Sequence, residues 1–177
     1  MTQTPLVPIL STPRLILRGH RREDFDAVAA MWGDPEVARH ISGKPSTREE
    51  SWARMLRYGG LWNLLGYGYW AVEEKASGRF AGEVGLGMFQ REIEPSYGDA
   101  PEGGWVLSPW CHGKGYATEA MQAALAWSDA HLRQATVCIT APENLASSRV
   151  AEKLGYVKYA EGTYKTWPTW FFRREAR

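Results

Sequence analysis

The stretch SPWCHGKGYATEA, Ser108–Ala120, joins a predicted strand to a predicted helix through a bend that contains two glycines. Pro109 ends the strand, because proline cannot donate to a sheet ladder and disfavours helical geometry in the residue before it. Gly113 and Gly115 leave backbone N–H groups uncovered at the start of the helix, where the dipole is positive, and Lys114 adds a cation. The bend therefore predicts a site for an anion; the alternative is a corner that only turns the chain.

Composition and motifs disfavour several classes of protein. The net charge of +1, from 21 basic and 20 acidic residues, lacks the surplus of cations expected of a nucleic-acid-binding surface. No apolar run approaches the length of a membrane span and no signal peptide is visible, so we expect a cytoplasmic protein without membrane contact. The cysteines and histidines lack metal-ligand spacing, and no metal site is predicted. Lys114 is followed by glycine, which excludes a P-loop.

Outward from the bend, length and periodicity predict one domain over residues 1–177 with an irregular lead over residues 1–10. Thr47 and Glu50 form a capping box that begins a helix, and Gly59-Gly60 ends it. The elements predict an α/β (α+β) domain with a mostly antiparallel sheet of six to seven strands and about four helices. The predicted strands are 14–18, 67–74, 79–89, 102–108, 135–140, 156–162 and 167–173; the predicted helices are 22–32, 47–58, 114–131 and 144–155; and 90–101 is predicted to be a loop.

Three blocks of sequence resemble one family. The segment HGKGYA, residues 112–117, is similar to the pyrophosphate-binding signature [QR]-x-x-G-x-[GA] of the GNAT superfamily of acetyl-CoA-dependent N-acetyltransferases, with His112 in place of the usual Gln or Arg. TPRLILR at 12–18 and NLASSRVAEKLGY at 144–156 resemble the subgroup of ribosomal-protein alanine acetyltransferases. The resemblance extends from about Ser11 to Phe172.

The resemblance implies an architecture for the site. The strands at 102–108 and 135–140 are expected to be parallel neighbours that splay apart, with acetyl-CoA as co-substrate in the V between them. Its pyrophosphate is expected on the N–H groups of the bend, and its pantetheine beside the first of these strands and Asn144. The residues expected to bind it are Val106, Leu107, His112, Gly113, Lys114, Gly115, Tyr116, Ala117, Thr118, Asn144 and Ser147.

Two carboxylates are candidates for the chemistry, in which an amine attacks a thioester carbonyl. Glu83 shares its strand face with Gly85 and Gly87, which predicts open space beside it. Glu102 begins the co-substrate strand, at a position where the family often has glutamate. Each is a candidate general base acting through a water molecule; the alternative for each is a structural or substrate-binding carboxylate.

The proton for the leaving thiolate has a separate candidate. Many GNAT enzymes carry a tyrosine four residues before the glycine that ends the last helix, and this chain has Ala151 there. The resembled subgroup instead implies Ser147, one helical turn from Asn144, as the proton donor; the alternative is a serine that satisfies a backbone donor. Cys111 borders the expected acetyl site, as a nucleophile or as an incidental thiol.

Two functions of different classes follow from the sequence. The first is an N-acetyltransferase that acts by direct attack of a primary amine, either a protein N-terminus or a small molecule. The second is a non-catalytic acyl-CoA-binding regulatory module of the same fold. The acceptor is expected over residues 22–58 and 90–101, where Trp52, Trp62, Tyr67, Tyr69 and Tyr97 are candidates to line it. Whether the chain forms a homodimer is left open.

Overall fold

A computed structural model describes residues 7–177 of the chain. Within that range it contains nine strands and five α-helices, one helix and two strands more than the largest numbers predicted. The strands are β1 (Leu10–Ser11), β2 (Leu15–Arg18), β3 (Tyr69–Glu74), β4 (Phe80–Gly87), β5 (Ile93–Glu94), β6 (Glu102–Leu107), β7 (Thr136–Thr140), β8 (Val157–Tyr164) and β9 (Trp167–Arg174). The helices are α1 (Phe25–Trp32), α2 (Pro35–Ala38), α3 (Arg48–Leu65), α4 (Tyr116–His131) and α5 (Leu145–Lys153).

All nine strands form one sheet in the order β1-β2-β3-β4-β6-β7-β9-β8-β5. Every neighbouring pair is antiparallel except β6 and β7, which are parallel. The mixed, mostly antiparallel sheet confirms the predicted fold class. The one parallel pair lies at the centre of the sheet, where the sequence predicts the co-substrate.

Helices cover both faces of the sheet. On one face α4 packs against β2, β4 and β6, and the core between them includes Met121, Val84 and Leu86. On the opposite face α1 packs against β4 and α3 and buries Val28 and Trp32. We call these the α4 face and the α1 face. Because side chains alternate along a strand, each strand of the centre contributes to both.

The predicted end of the second helix is wrong. The capping box of Thr47 and Glu50 begins α3 as expected, but the helix continues through Gly59-Gly60 and ends at Gly66, which has a φ of 74°. A glycine inside a helix costs only about 1 kcal/mol relative to alanine. Burial of Leu61 and Trp62 in the following turn outweighs that cost.

Other boundaries differ where the local signal is short. Helix α4 begins at Tyr116 rather than at Lys114, because Gly115 adopts a φ of 78° that the helix cannot include. The predicted loop 90–101 contains β5, which pairs with β8, and β1 and α2 are also too short for a periodic pattern. Of the predicted irregular lead, residues 1–6 lie outside the described residues, and β1 begins at Leu10.

Candidate active site

The parallel strands at the centre of the sheet separate immediately after they meet. β6 and β7 share a single register pair, Glu102 opposite Val137, and the N–H of Val137 donates to the carbonyl of Pro101 at 3.0 Å. Beyond this point neither strand pairs with the other, so their carboxyl-terminal halves diverge into a V. Val106 and Leu107 form the end of the β6 arm, and Thr140 ends the β7 arm.

The loop after β6 presents free backbone donors at the open end of the V. Gly113 and Gly115 have φ values of 76° and 78°, a region that favours glycine, and an added Cβ at Gly113 would meet no atom within 4 Å. These conformations aim successive N–H groups away from the chain. Among residues 7–177, no hydrogen-bond acceptor is found for the backbone N–H groups of Gly113, Gly115, Tyr116, Ala117 and Thr118.

Side chains around the loop fix its shape. His112 donates from Nε2 to the carbonyl of Leu107 at 2.8 Å, which ties the loop to the end of β6. The Tyr116 hydroxyl donates to Glu74 on β3. Lys114 lies at 3.9 Å from the same carboxylate and at 4.7 Å from the Trp110 ring centroid, and it remains partly exposed. The predicted loop residues therefore lie together, with free backbone donors at the surface and with the His112 Nε2 engaged by the end of β6.

The β7 arm leads into α5, whose first turn carries the other predicted co-substrate residues. Asn144 caps the helix: its Oδ1 accepts from the N–H of Ser147 at 3.1 Å. The Asn144 side-chain amide nitrogen and the Ser147 hydroxyl have no hydrogen-bond partner within the described chain. Ser148 differs, because its buried hydroxyl bonds Thr140 Oγ1 and the Asn144 carbonyl.

On the α1 face, the two candidate carboxylates lie on one stripe of paired residues. Glu83 is opposite Val106, and Glu102 is opposite Gly87, with the glycine pair Gly85 and Gly104 between them. The predicted space beside Glu83 is not open. A Cβ added at Gly85 would lie 2.3 Å from the carbonyl oxygen of Gly68. A Cβ added at Gly87 would lie 2.5 Å from the Phe89 ring.

Tyr69 passes through the middle of that stripe. An added Cβ at Gly104 would lie 2.1 Å from the Tyr69 hydroxyl oxygen, so only glycine admits the phenol there. The Tyr69 ring stacks on Tyr58 with 4.4 Å between centroids. Burial raises the pKa of Tyr69 far above its usual range, and the charge of Glu102 adds a smaller effect in the same direction. Burial likewise raises the pKa of Tyr58, with a smaller contribution from the charge of Glu83. Both phenols therefore stay protonated at neutral pH.

Both carboxylates are held by partners that the sequence did not indicate. Glu83 is fully buried; it accepts from His20 Nε2 at 2.9 Å and from Trp32 Nε1 at 2.8 Å. These partners lie 63 and 51 residues away in the chain. Glu102 accepts two hydrogen bonds from Arg91, at 2.6 and 2.8 Å. A further hydrogen bond comes to it from Tyr97.

His20 connects Glu83 to a pocket. A pocket of about 330 Å³ lies between α3 and the segment after β2, and His20, Met55 and Trp62 are among the residues that line it. The His20 side chain is 8% exposed, whereas Glu83 is inaccessible. The His20 ring therefore lies between the buried Glu83 carboxylate and this pocket, and it contacts both.

The remaining candidates have mainly structural surroundings. Cys111 is buried, and its thiol donates to the carbonyls of Ala81 and Ser108. Burial raises the pKa of Cys111 to about 11, so almost no nucleophilic thiolate exists at neutral pH. Trp62 and Tyr67 pack in the core of the α4 face, whereas Tyr69 and Tyr97 lie beside the carboxylates.

Residues 7–177 contain no cluster of three or more potential metal ligands. Within the same range no helix combines the length and apolar character of a membrane span.

The site can be compared with known proteins. A family model described as acetyltransferase (GNAT) domain matches residues 14–157, which covers both arms of the V and the loop between them. The chain belongs to the GNAT family. The predicted family and the acetyltransferase activity that defines it are thereby confirmed.

Two relatives and one solved structure illustrate how far the likeness extends. The protein YkkB of Bacillus subtilis is 32% identical over 154 residues, covering 82% of this GNAT acetyltransferase and 83% of YkkB. The N-acetyltransferase YnaD of the same organism is 29% identical, with 88% and 85% covered. A Bordetella pertussis protein assigned to the GNAT acetyltransferases is 30% identical, with a TM-score of 0.83 and 94% and 99% of the two chains covered.

Two further structures share the fold at lower identity. One is the ribosomal-protein-S5-alanine acetyltransferase of Vibrio fischeri, 19% identical with a TM-score of 0.75, covering 96% of this chain and 97% of its own. The other is the spermidine N-acetyltransferase of Vibrio cholerae in complex with CoA and spermine, 17% identical with a TM-score of 0.71, covering 92% and 95%. The two proteins are named for different acceptors, so this fold alone does not define the acceptor.

Proposed function

We propose that this GNAT acetyltransferase moves the acetyl group of acetyl-CoA to a primary amine, and that residues 1–177 form one acetyltransferase domain. The observation that carries the proposal is the set of unpaired backbone N–H groups of Gly113 and of residues 115–118 at the open end of the V. Converging amides at a helix start bind phosphate groups well. The CoA bound to the Vibrio cholerae neighbour supports CoA as the ligand.

The two arms of the V offer complementary groups to the rest of the co-substrate. Val106 and Leu107 lie on the part of β6 that β7 no longer pairs, although the Leu107 carbonyl already accepts from His112. On the other arm, the Asn144 amide nitrogen is free to donate because its oxygen already caps α5. These positions support the expected contacts with pantetheine.

The proposed reaction is a direct transfer. The amine nitrogen forms a bond to the acetyl carbon, the carbon–sulfur bond breaks, and the thiolate takes up a proton. The free hydroxyl of Ser147 is the proposed donor of that proton. We propose that Glu102 and Glu83 serve as substrate-binding carboxylates, since each already accepts at least two hydrogen bonds from the protein, and that water carries the amine proton away.

The test is release of free thiol from acetyl-CoA in the presence of a panel of amines and peptides, followed by mass spectrometry of the acceptor. The proposal predicts thiol release that depends on the amine, and a product 42 Da heavier, about the mass that one acetyl group adds in place of hydrogen. Acetyl-CoA binding without thiol release from any amine would contradict the proposal and favour a module that only binds acyl-CoA.

A further inference from the structure

Arg54 has no ionic partner, although it lies partly buried against the α1 face. Its guanidinium carbon lies 3.7 Å from the centroid of the Trp32 ring, and its Nη1 donates to Ser46 Oγ at 3.1 Å. Within residues 7–177 no carboxylate lies within 4.0 Å of it. Burial lowers the pKa of Arg54, and its effect exceeds the opposing influence of Tyr58, Glu83 and Glu50, none of which is in direct ionic contact with the guanidinium.

The other partly or fully buried arginines of the described chain are neutralised. Arg18 bonds Asp24 through two nitrogens, Arg91 bonds Glu102, and Arg174 bonds Asp129. A buried charge is normally paired, and removing it from water without a partner is unfavourable. Arg54 therefore differs from its counterparts by having donors that remain for a molecule outside the fold.

Arg54 lies close to the proposed reaction centre. The Trp32 ring beneath it donates to Glu83, and Trp32 belongs to the same hydrophobic cluster as Val106 on the arm proposed to hold pantetheine. Ser46, which positions the guanidinium, belongs to the loop between α2 and α3. That loop reaches the β8–β9 hairpin, because an added Cβ at Gly43 would lie 3.7 Å from the Trp167 ring.

The carboxylates of the same face are already engaged. Glu83 accepts hydrogen bonds from His20 and Trp32, and Glu102 accepts them from Arg91 and Tyr97. A second cation, Arg57, lies 5.2 Å from the Phe89 ring centroid and also lacks an ionic partner among residues 7–177. Two guanidinium groups of this face, those of Arg54 and Arg57, therefore remain without an ion pair in the described part of the chain.

We propose that Arg54 binds an oxyanion of the acceptor, so that the acceptor is a small primary amine that also carries a carboxylate or a phosphoryl group. A guanidinium fork matches such a group with two parallel N–H bonds. The amine of the same molecule is then directed toward the face that carries Glu83 and Glu102. A polyamine such as spermidine would instead bring further positive charge to an uncompensated guanidinium. This inference rests on the proposed acetyl transfer.

The experiment measures thiol release with matched acceptors that differ only in the anionic group. γ-Aminobutyrate is compared with butylamine, 2-aminoethylphosphonate with ethylamine, and spermidine serves as the cationic acceptor. The variants are Arg54→Gln and Arg54→Lys. Arg48→Gln is the control, because it removes the same charge from the same helix at an exposed side chain that pairs with Asp26. Thermal melting establishes that each variant is folded.

The inference predicts that at least one acceptor with an anionic group is used at least tenfold more efficiently than its counterpart without that group. A tenfold ratio corresponds to about 1.4 kcal/mol, close to the contribution of one hydrogen bond to a charged group. Arg54→Gln should raise the KM for that acceptor about tenfold to a hundredfold, with the KM for acetyl-CoA unchanged. Arg54→Lys should recover part of the loss, and Arg48→Gln should have no effect. The preferred member of the two pairs distinguishes a carboxylate from a phosphoryl group.

Three results would overturn the inference. Equal use of acceptors with and without the anionic group, or a preference for spermidine, would contradict it while leaving acetyl transfer intact. An Arg54→Gln effect on the KM for acetyl-CoA instead of the acceptor would assign the guanidinium to the co-substrate. Absence of thiol release with every amine would remove the proposed function itself.

Discussion

Replacing Gly113 with valine tests the proposed pyrophosphate loop, because the backbone conformation of Gly113 sets the direction of the N–H groups proposed to bind the ligand. Gly113 has a φ of 76°, and an added Cβ would meet no atom within 4 Å. The added Cβ therefore meets no neighbour within the described chain, and the perturbation acts mainly through the backbone. A β-branched residue at positive φ costs about 1–3 kcal/mol. The chain relieves this strain by rotating to negative φ, which turns the adjacent N–H groups away from the ligand.

The effect on affinity follows from the number of donors that are turned. A hydrogen bond to a charged group contributes about 1.5–3 kcal/mol. Loss of two such bonds, from the free N–H groups of Gly113 and Gly115, weakens CoA binding by about 3–6 kcal/mol, or roughly a hundredfold to ten-thousandfold. Gly113→Val should therefore bind CoA too weakly for detection in an ordinary calorimetric titration, and Gly115→Val should behave alike because its φ is 78°.

Gly78→Val is the matched control. Gly78 lies in the turn between β3 and β4, has a φ of 68°, and likewise has no atom within 4 Å of an added Cβ. It carries the same backbone strain away from the loop. Isothermal titration with CoA on variants of normal circular dichroism should show full affinity for Gly78→Val and none for Gly113→Val. Equal affinities in the two variants would refute the assignment of the loop.

Three more predictions concern single side chains. Asn144→Asp keeps the oxygen that caps α5 but loses the amide donor. The affinity for CoA, measured by calorimetry, should therefore fall about tenfold while the melting temperature stays the same. An unchanged affinity would mean that Asn144 acts only as a helix cap. Ser147→Ala should lower kcat about a hundredfold with little change in the KM for acetyl-CoA. Ser148→Ala should leave kcat unchanged but cost about 1 kcal/mol of stability, because the Ser148 hydroxyl is buried and hydrogen-bonded. Equal kcat in the two variants would exclude Ser147 as the proton donor. Hydrogen bonds from Arg174 hold the pKa of Asp129 below its usual range. The pair therefore stabilises the folded state fully at pH values above the pKa of Asp129 in the unfolded chain, about 3.9. This stabilisation is lost as the pH falls through the lower pKa of Asp129 in the folded protein. Asp129→Asn should therefore cost about 1.5–3 kcal/mol in urea unfolding at pH 7 and much less near pH 2, and a deficit independent of pH would contradict this account.

The co-substrate side of the site could be predicted because its signals are local. A proline, two glycines and the start of an apolar stripe lie within a few residues, and each acts on the backbone next to it. The caps at Thr47 and Asn144 are local in the same sense, and the structure confirms both. The divergence of the parallel strands was implied by the resemblance to the family, not by these signals.

The acceptor side could not be predicted because its contacts join distant parts of the chain. Gly85 and Gly87 indicated space, but that space is filled by the backbone at Gly68 and by the Phe89 ring. The pairing of Glu83 with His20 spans 63 residues and leaves no periodic or spacing signal. The helix that crosses Gly59-Gly60 illustrates the same limit, since burial of distant surface outweighs a weak local preference.

The central claim is that CoA lies in the V between β6 and β7, with its pyrophosphate on the loop that follows β6. The most direct test is a titration of the isotope-labelled protein with CoA, followed through the amide resonances in nuclear magnetic resonance spectra. The account predicts the largest shifts at Gly113 and Gly115–Thr118, with smaller shifts at Leu107 and Asn144. Saturable shifts confined to the pocket around His20, with the loop amides unchanged, would contradict it.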